Sequence, residues 1–215
     1  CLNPQKIALL TGSCADLPLS LRQGKPIFTV PLRIVCEDGE FADGVDIFPA
    51  DIYRRLTQGE LPHTSLPTGG SITQVLDEIA GAGYQRVLAL MLSSGLSGTC
   101  NLVRLLAEQR QDLEVAVFDS VSGSLGMGMM VLQAWEDIER GMDWEELVRH
   151  RVPQLIAGTF PFFSVDTLEY LQKGGRIGKI TALAGTMLSI KPLITFARDG
   201  QLKSIAKARG RRAVQ

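Results

Sequence analysis

Short, nearly uninterrupted apolar runs recur along the chain, and each breaks off into glycine and hydroxyl residues. Residues 6–11 read Lys-Ile-Ala-Leu-Leu-Thr and run into Gly12-Ser13; residues 86–92 end in Ser93-Ser94-Gly95; residues 114–118 end in Asp119-Ser120. A run without polar alternation marks a strand buried on both faces, as in a parallel sheet covered by helices. Between these runs the apolar period lengthens to that of a helix. Ile72, Val75, Leu76, Ile79 and Ala80 share one face, opened by the capping-box pair Ser71 and Gln74 and closed by Gly81 and Gly83. A second helix is predicted over 125–138, with Gly123, Gly126 and Gly128 allowing it to pack closely on the sheet. The alternation predicts a parallel, three-layer α/β/α domain.

The second half is patterned differently. Asp143, with Glu146 three residues on, starts a helix carrying Leu147, Val148, Val152 and Leu155. A strand is expected over 159–165, and residues 192–197, the turn Arg198-Asp199-Gly200 and residues 201–206 read as a hairpin. The change of pattern places a domain boundary near residue 155, giving one domain over 1–154 and a second over 155–215. The chain starts at Cys1 rather than Met, and its basic end, 207–215, reads as the start of a helix. The second domain is therefore expected to be incomplete.

Composition narrows the function classes. With 45% hydrophobic and 21% charged residues the chain is globular rather than disordered. Its 22 basic and 23 acidic side chains leave a net charge of -1, which argues against nucleic acid as a partner and requires any anion to be held locally. Cys1, Cys14, Cys36 and Cys100 are too dispersed for a disulfide framework or a zinc site. Neither a membrane span nor an export signal is read, so the cytoplasm is the expected compartment.

The candidate chemistry lies in the loops after the strands. Thr11-Gly12-Ser13, the stretch Ser93-Ser94-Gly95-Leu96-Ser97-Gly98-Thr99, and Asp119-Ser120 should share the carboxyl-end rim of one sheet, where ligands bind in open α/β folds. The segment 64–70, Thr-Ser-Leu-Pro-Thr-Gly-Gly, is placed to close over that rim. Each loop taken singly is explained by helix capping and tight turns; four together suggest a neutral-donor anion site. Ser93 and Ser94 follow a wholly apolar strand, which suits the head group of an amphiphile better than a sugar.

Sharper motifs fail. Met91 stands where a nucleophile elbow needs glycine before Ser93. Gly178-Lys179 lacks both the first glycine and the hydroxyl of a P-loop. Asp43, Asp46 and Asp51 fit no calcium loop, and Pro49 with Asp51 reads as a helix start, so no metal is expected. The least generic stretch is 163–177: Asp166 reads as an N-cap, Leu168 and Leu171 as core, Gly174-Gly175 as a helix stop, and Arg176 with Lys173 and Lys179 as a basic knob.

Taken in order, residues 93–99, Phe118-Asp119-Ser120, residues 165–177, Ile190-Lys191-Pro192-Leu193 and Lys207-x-Arg209 resemble the DegV family of fatty-acid-binding proteins, which includes the lipid-binding subunit of bacterial fatty acid kinase. Two segments depart from the family pattern: Gly12 replaces an acid in the first loop, and a Thr-Ser-Gln-Pro-Ser segment appears as Thr64-Ser65-Leu66-Pro67-Thr68. The resemblance implies a three-layer first domain, a smaller two-layer α/β second domain, and a long-chain fatty acid buried with its carboxylate at the hydroxyl rim. It implies that Thr64, Ser65, Ser93 and Ser94 hold the carboxylate, and that Arg176 and Arg209 dock a partner or orient the head group. The chain is then a non-catalytic subunit without a cofactor. It presents its lipid to an ATP-binding kinase subunit for acyl-phosphate formation and contacts membranes only transiently. The competing enzyme reading is a substrate subunit similar to that of dihydroxyacetone kinase, whose covalent histidine would be His63 or His150. A DNA-binding regulator is a weaker third, opposed by the neutral charge.

Overall fold

The computed structural model describes residues 2–183 and 190–209. In chain order, β1 (Ile7–Gly12), α1 (Leu19–Arg22), β2 (Ile27–Val30), β3 (Arg33–Cys36), β4 (Gly39–Ala42), α2 (Pro49–Thr57) and β5 (His63–Ser65) come first. They are followed by α3 (Gly69–Gly81), β6 (Arg86–Met91), α4 (Thr99–Glu108), β7 (Glu114–Asp119) and α5 (Ser124–Glu139). The rest comprises α6 (Trp144–Glu146), a π-helical turn (Leu147–Arg151), α7 (Val152–Gly158), β8 (Phe162–Phe163), α8 (Glu169–Lys173), β9 (Ile190–Phe196) and β10 (Leu202–Arg209).

The three predicted apolar runs are the inner and edge strands of one parallel sheet, ordered β2-β1-β6-β7. Alternate residues of β1 and β6 enter separate cores. Ile7, Leu9, Leu88 and Leu90 pack with α5 and the helix after it, around Met130, Val131, Leu147 and Val152. Ala8, Leu10, Val87, Ala89 and Met91 pack with α3 and α4, around Ile72, Leu76, Ile79 and Val103. Burial on both faces explains why these strands carry no polar alternation, and each buried Leu or Ile contributes about 1.5–3 kcal/mol. The expected three-layer arrangement is present.

Helix boundaries correct several sequence expectations. Helix α3 starts three residues earlier than predicted: Thr68 is its N-cap, its hydroxyl accepting from Ser71 N at 3.0 Å, so Ser71 is already inside the helix. Asp143 caps α6 as expected, accepting from Glu145 N and Glu146 N. Leu155 and Ile156 of α7 pack against the first core, so position 155 lies within a helix seated on the parallel sheet. Gly128 of α5 meets the 15–17 loop rather than the sheet itself, since a Cβ there would stand 2.6 Å from Ala15 O.

Two further sheets are antiparallel. One, β4-β3-β5, was absent from the sequence pattern because its strands are short and largely exposed. The other, β10-β9-β8, contains the expected hairpin, although β8 has two residues where seven were predicted. Strand β10 continues to Arg209, so residues 207–209 are strand and not the start of a helix; residues 210–215 lie outside the described residues. Helix α8 and its N-cap cover this sheet through Leu171 and Leu168, packed on Ile180, Ile194 and Leu202. Asp166 does not cap it: Thr167 Oγ1 accepts from Glu169 N at 3.1 Å, and Asp166 faces Lys191 instead. Among the described residues no helix is long and apolar enough to cross a membrane.

Candidate functional site

The three sheets converge on one cavity of about 1050 Å³, at the upper end of the roughly 300–1,000 Å³ of ligand pockets. Its floor is the carboxyl-end rim of the parallel sheet, through Leu92, Leu96 and the start of α5 at Gly123–Gly126. One wall is β5 with α2, contributing Thr64, Ser65, Ile52 and Leu56. The opposite wall comes from the second antiparallel sheet and α8, contributing Phe162, Phe163, Leu171, Phe196 and Leu202. Leucine and phenylalanine dominate the lining. The charged side chains on it are few: Asp16, Asp43 and Arg176, with His63 beside them.

The predicted head-group hydroxyls divide into two sets. Thr64 and Ser65 lie on the cavity wall, and among the described residues neither hydroxyl has a hydrogen-bond partner. Ser93 and Ser94 are not on the wall. The Ser93 hydroxyl is fully buried and donates to Gly200 O at 2.7 Å. Ser94 donates through both its backbone N and its Oγ to the Asp119 carboxylate. Of the other loop hydroxyls, Ser97 lies on the cavity wall and shares a 2.8 Å hydrogen bond with Thr99 Oγ1, while three serve the fold: Thr11 donates to Leu90 O at 2.8 Å, Ser13 Oγ accepts from Leu32 N, and Ser120 donates to Ser122 O. For these three the capping and turn reading holds.

Arg176 is on the cavity wall, and a helix stop puts it there. Gly175, at φ +72°, is the left-handed residue after α8; Gly175 N bonds Gln172 O and Arg176 N bonds Leu171 O, closing a Schellman motif. The guanidinium then donates from Nε to Leu96 O at 3.2 Å and from Nη1 to Gly174 O at 2.7 Å. It pairs with no carboxylate among the described residues. The predicted basic knob is absent, because Lys173 is paired with Glu169 at 2.6 Å and Lys179 with Asp199 at 2.7 Å. Arg209 ends β10, in register with Ile190, and its side chain lies outside the described residues. The two histidines are apart: His63 faces the cavity and His150 is on the π-helical turn.

The wall residues that the sequence reading missed include Leu32 before β3, Ile52 and Leu56 of α2, and the corner where Cys14 and Asp16 meet Asp43. The Cys14 thiol is pushed up to about 12, first by burial and then by the Asp43 and Asp16 carboxylates. It is a neutral wall group. Asp46 and Asp51, read from sequence as non-metal residues, cap the turns before and into α2, accepting from Ala42 N and Phe48 N. Cys36, Asp38 and Glu60 converge elsewhere, but Arg55 sits among them, 2.9 Å from both carboxylates. Its hydrogen bond lowers the Asp38 carboxyl, while the Glu37 amide, and then Arg55, lowers that of Glu60. The guanidinium fills the place a cation would take.

The profile of the family described as "Uncharacterised protein, DegV family" matches residues 6–214. The chain belongs to the DegV family. A DegV domain-containing protein of Clostridium perfringens (strain 13 / Type A) is 38% identical over 208 residues, covering 97% of this chain and 73% of the relative. Among solved structures, a DegV family protein from Thermus thermophilus described by its fatty acid binding superposes with a TM-score of 0.86 at 36% identity, covering 95% of this chain and 72% of the other. DegV of Bacillus subtilis, described as a fatty acid binding protein, gives a TM-score of 0.85 at 29% identity and covers 99% and 74%.

Proposed function

We propose that this DegV protein binds a long-chain fatty acid in the cavity and presents its carboxylate to an ATP-binding kinase subunit, without catalysing the transfer itself. The single observation that carries the reading is a large, leucine- and phenylalanine-lined cavity whose charged groups include one arginine with only carbonyl partners among the described residues. An acyl chain is served by the apolar walls, and a carboxylate by a guanidinium and unengaged hydroxyls. Solved relatives described as fatty acid binding, with closely superposed folds, support it. In this reading Thr64 and Ser65 contact the carboxylate, Arg176 orients it, and Ser93 and Ser94 approach it from the rim. Arg209 meets the kinase subunit. The setting is the cytoplasm, with transient membrane contact when the lipid is exchanged.

The direct test is organic extraction of the purified protein followed by mass spectrometry, with uptake of added oleate measured in parallel. A long-chain fatty acid in the extract, or stoichiometric uptake, is the expected result. A clean extract together with no uptake would remove the reading.

A further inference from the structure

Two loops from separate sheets meet at the cavity rim with no clearance. Gly95, in the loop after β6, lies so close to the β9–β10 turn that a Cβ on it would come within 2.3 Å of the Gly200 carbonyl carbon. Gly200 is at φ +79°, and a Cβ there would come within 2.3 Å of Ser93 Oγ. Only glycine fits on either side of the seam. Across it the Ser93 hydroxyl donates to Gly200 O at 2.7 Å, and the turn is braced by the Lys179–Asp199 pair.

A serine hydroxyl has one proton to donate. Ser93 Oγ already accepts from Gly95 N at 3.3 Å, so one lone pair faces its own loop while its proton holds the turn. Ser93 is buried behind the turn and off the cavity wall, so a carboxylate reaching it from the cavity must displace Gly200 O and needs the same proton. The charged acceptor makes the stronger bond of the two.

We propose that the ligand carboxylate and the Gly200 carbonyl compete for the Ser93 proton, so that ligand capture at Ser93 releases the 197–201 turn. The inference rests on the fatty-acid reading above and adds a coupling to it. Ser93 is then a positioning residue as well as a head-group contact, because the turn it holds joins the two strands that bring Phe196 and Leu202 to the cavity wall. Head-group capture and the seating of that wall become a single equilibrium.

Competition has a consequence that an inert structural bond lacks: weakening the turn should strengthen ligand binding. Lys179→Met removes the exposed brace on Asp199 without touching the cavity. Oleate should bind this variant about three-fold more tightly, the size of one surface ion pair. The general electrostatic effect of losing a lysine has the opposite sign, so the gain cannot come from it. The gain should vanish when Lys179→Met is combined with Ser93→Ala, which itself should weaken oleate binding. Affinity that is unchanged or lower in Lys179→Met, or an equal gain in both backgrounds, would overturn the proposal.

A second measurement covers the case in which Ser93→Ala does not fold. Hydrogen exchange of the peptide spanning 197–201 in the unsubstituted protein should quicken when oleate is added, and unchanged or slower exchange counts against release of the turn. If the unsubstituted protein takes up no oleate at all, it is the fatty-acid reading that fails, and the two failures are told apart.

Discussion

Asp137 of α5 and Arg151 of the π-helical turn are joined across the helix seam by a 2.6 Å contact from Arg151 Nε to Asp137 Oδ2. The aspartate is buried, with a side chain only 6% exposed, and its other oxygen accepts from Gln133 Nε2 at 3.2 Å. Removing one partner of a buried pair leaves an uncompensated charge, which costs more than the pair itself contributes. Arg151→Ala should lower unfolding stability by about 3 kcal/mol. Urea denaturation at constant slope is the measurement, and a loss well under 1 kcal/mol would mean that water reaches Asp137.

Two glycines of helices should respond to alanine with opposite signs. At Gly81, the last residue of α3, a Cβ meets nothing within 4 Å, and the substitution should stabilise by about 0.5–1 kcal/mol through the unfolded chain. At Gly128 the same Cβ stands 2.6 Å from Ala15 O and 3.0 Å from Leu17 Cδ2, so about 1–3 kcal/mol of overpacking outweighs the propensity gain. Thermal melting of the two variants side by side decides it. A Gly128→Ala protein as stable as the parent would show that the 15–17 loop gives way.

Cys14 should be a slow thiol. Burial, with Asp43 and Asp16 next, raises it from 9.0 to about 12, so almost no thiolate is present near neutral pH. The sign follows directly. The neutral thiol's contribution to folding is fully present below about 9 and is lost as pH climbs toward 12. Iodoacetamide at pH 8, read by peptide mass spectrometry, should modify Cys14 at least about tenfold faster in urea than in the folded protein. Equal rates would place the thiol in open solvent.

Thr64→Ala should weaken oleate binding roughly tenfold or more, the worth of a hydrogen bond to a charged acceptor. Folding should be little affected, because the Thr64 hydroxyl has no partner within the described residues. Displacement of a fluorescent fatty acid gives the affinity. Wild-type affinity in this variant would move the head group elsewhere along the wall.

What was legible in the sequence follows burial. Strands β1 and β6 announce themselves because both faces are apolar, and the α8 stop because Gly174-Gly175 permits the left-handed residue a Schellman motif needs. Strands β3 to β5 were silent: each has three or four residues, and β4 and β5 have no buried side chain to impose alternation. Capping residues tie locally, so Thr68 and Ser71 were indistinguishable until the first turn of α3 was placed. The Ser93 hydroxyl shows the limit most clearly. Its partner Gly200 is 107 residues away, a distance over which periodicity and motif spacing are blind. Arg176 was found as a singular residue, but its neighbours' ion pairs, which strip it of a basic setting, depend on tertiary contacts.

The cavity takes its walls from three sheets, and among the described residues no ladder runs from one sheet to another. Strand pairing therefore fixes the shape of each wall but not the spacing between walls, which rests on side-chain packing and a few loop bonds such as Leu32 N to Ser13 Oγ. On the fatty-acid reading, a guest longer or shorter by a few methylenes would be met by a small tilt of a whole sheet with every ladder intact. Selectivity among acyl chains should consequently fall off gradually with length, without the sharp cut-off that a pocket bored through a single closed barrel would impose.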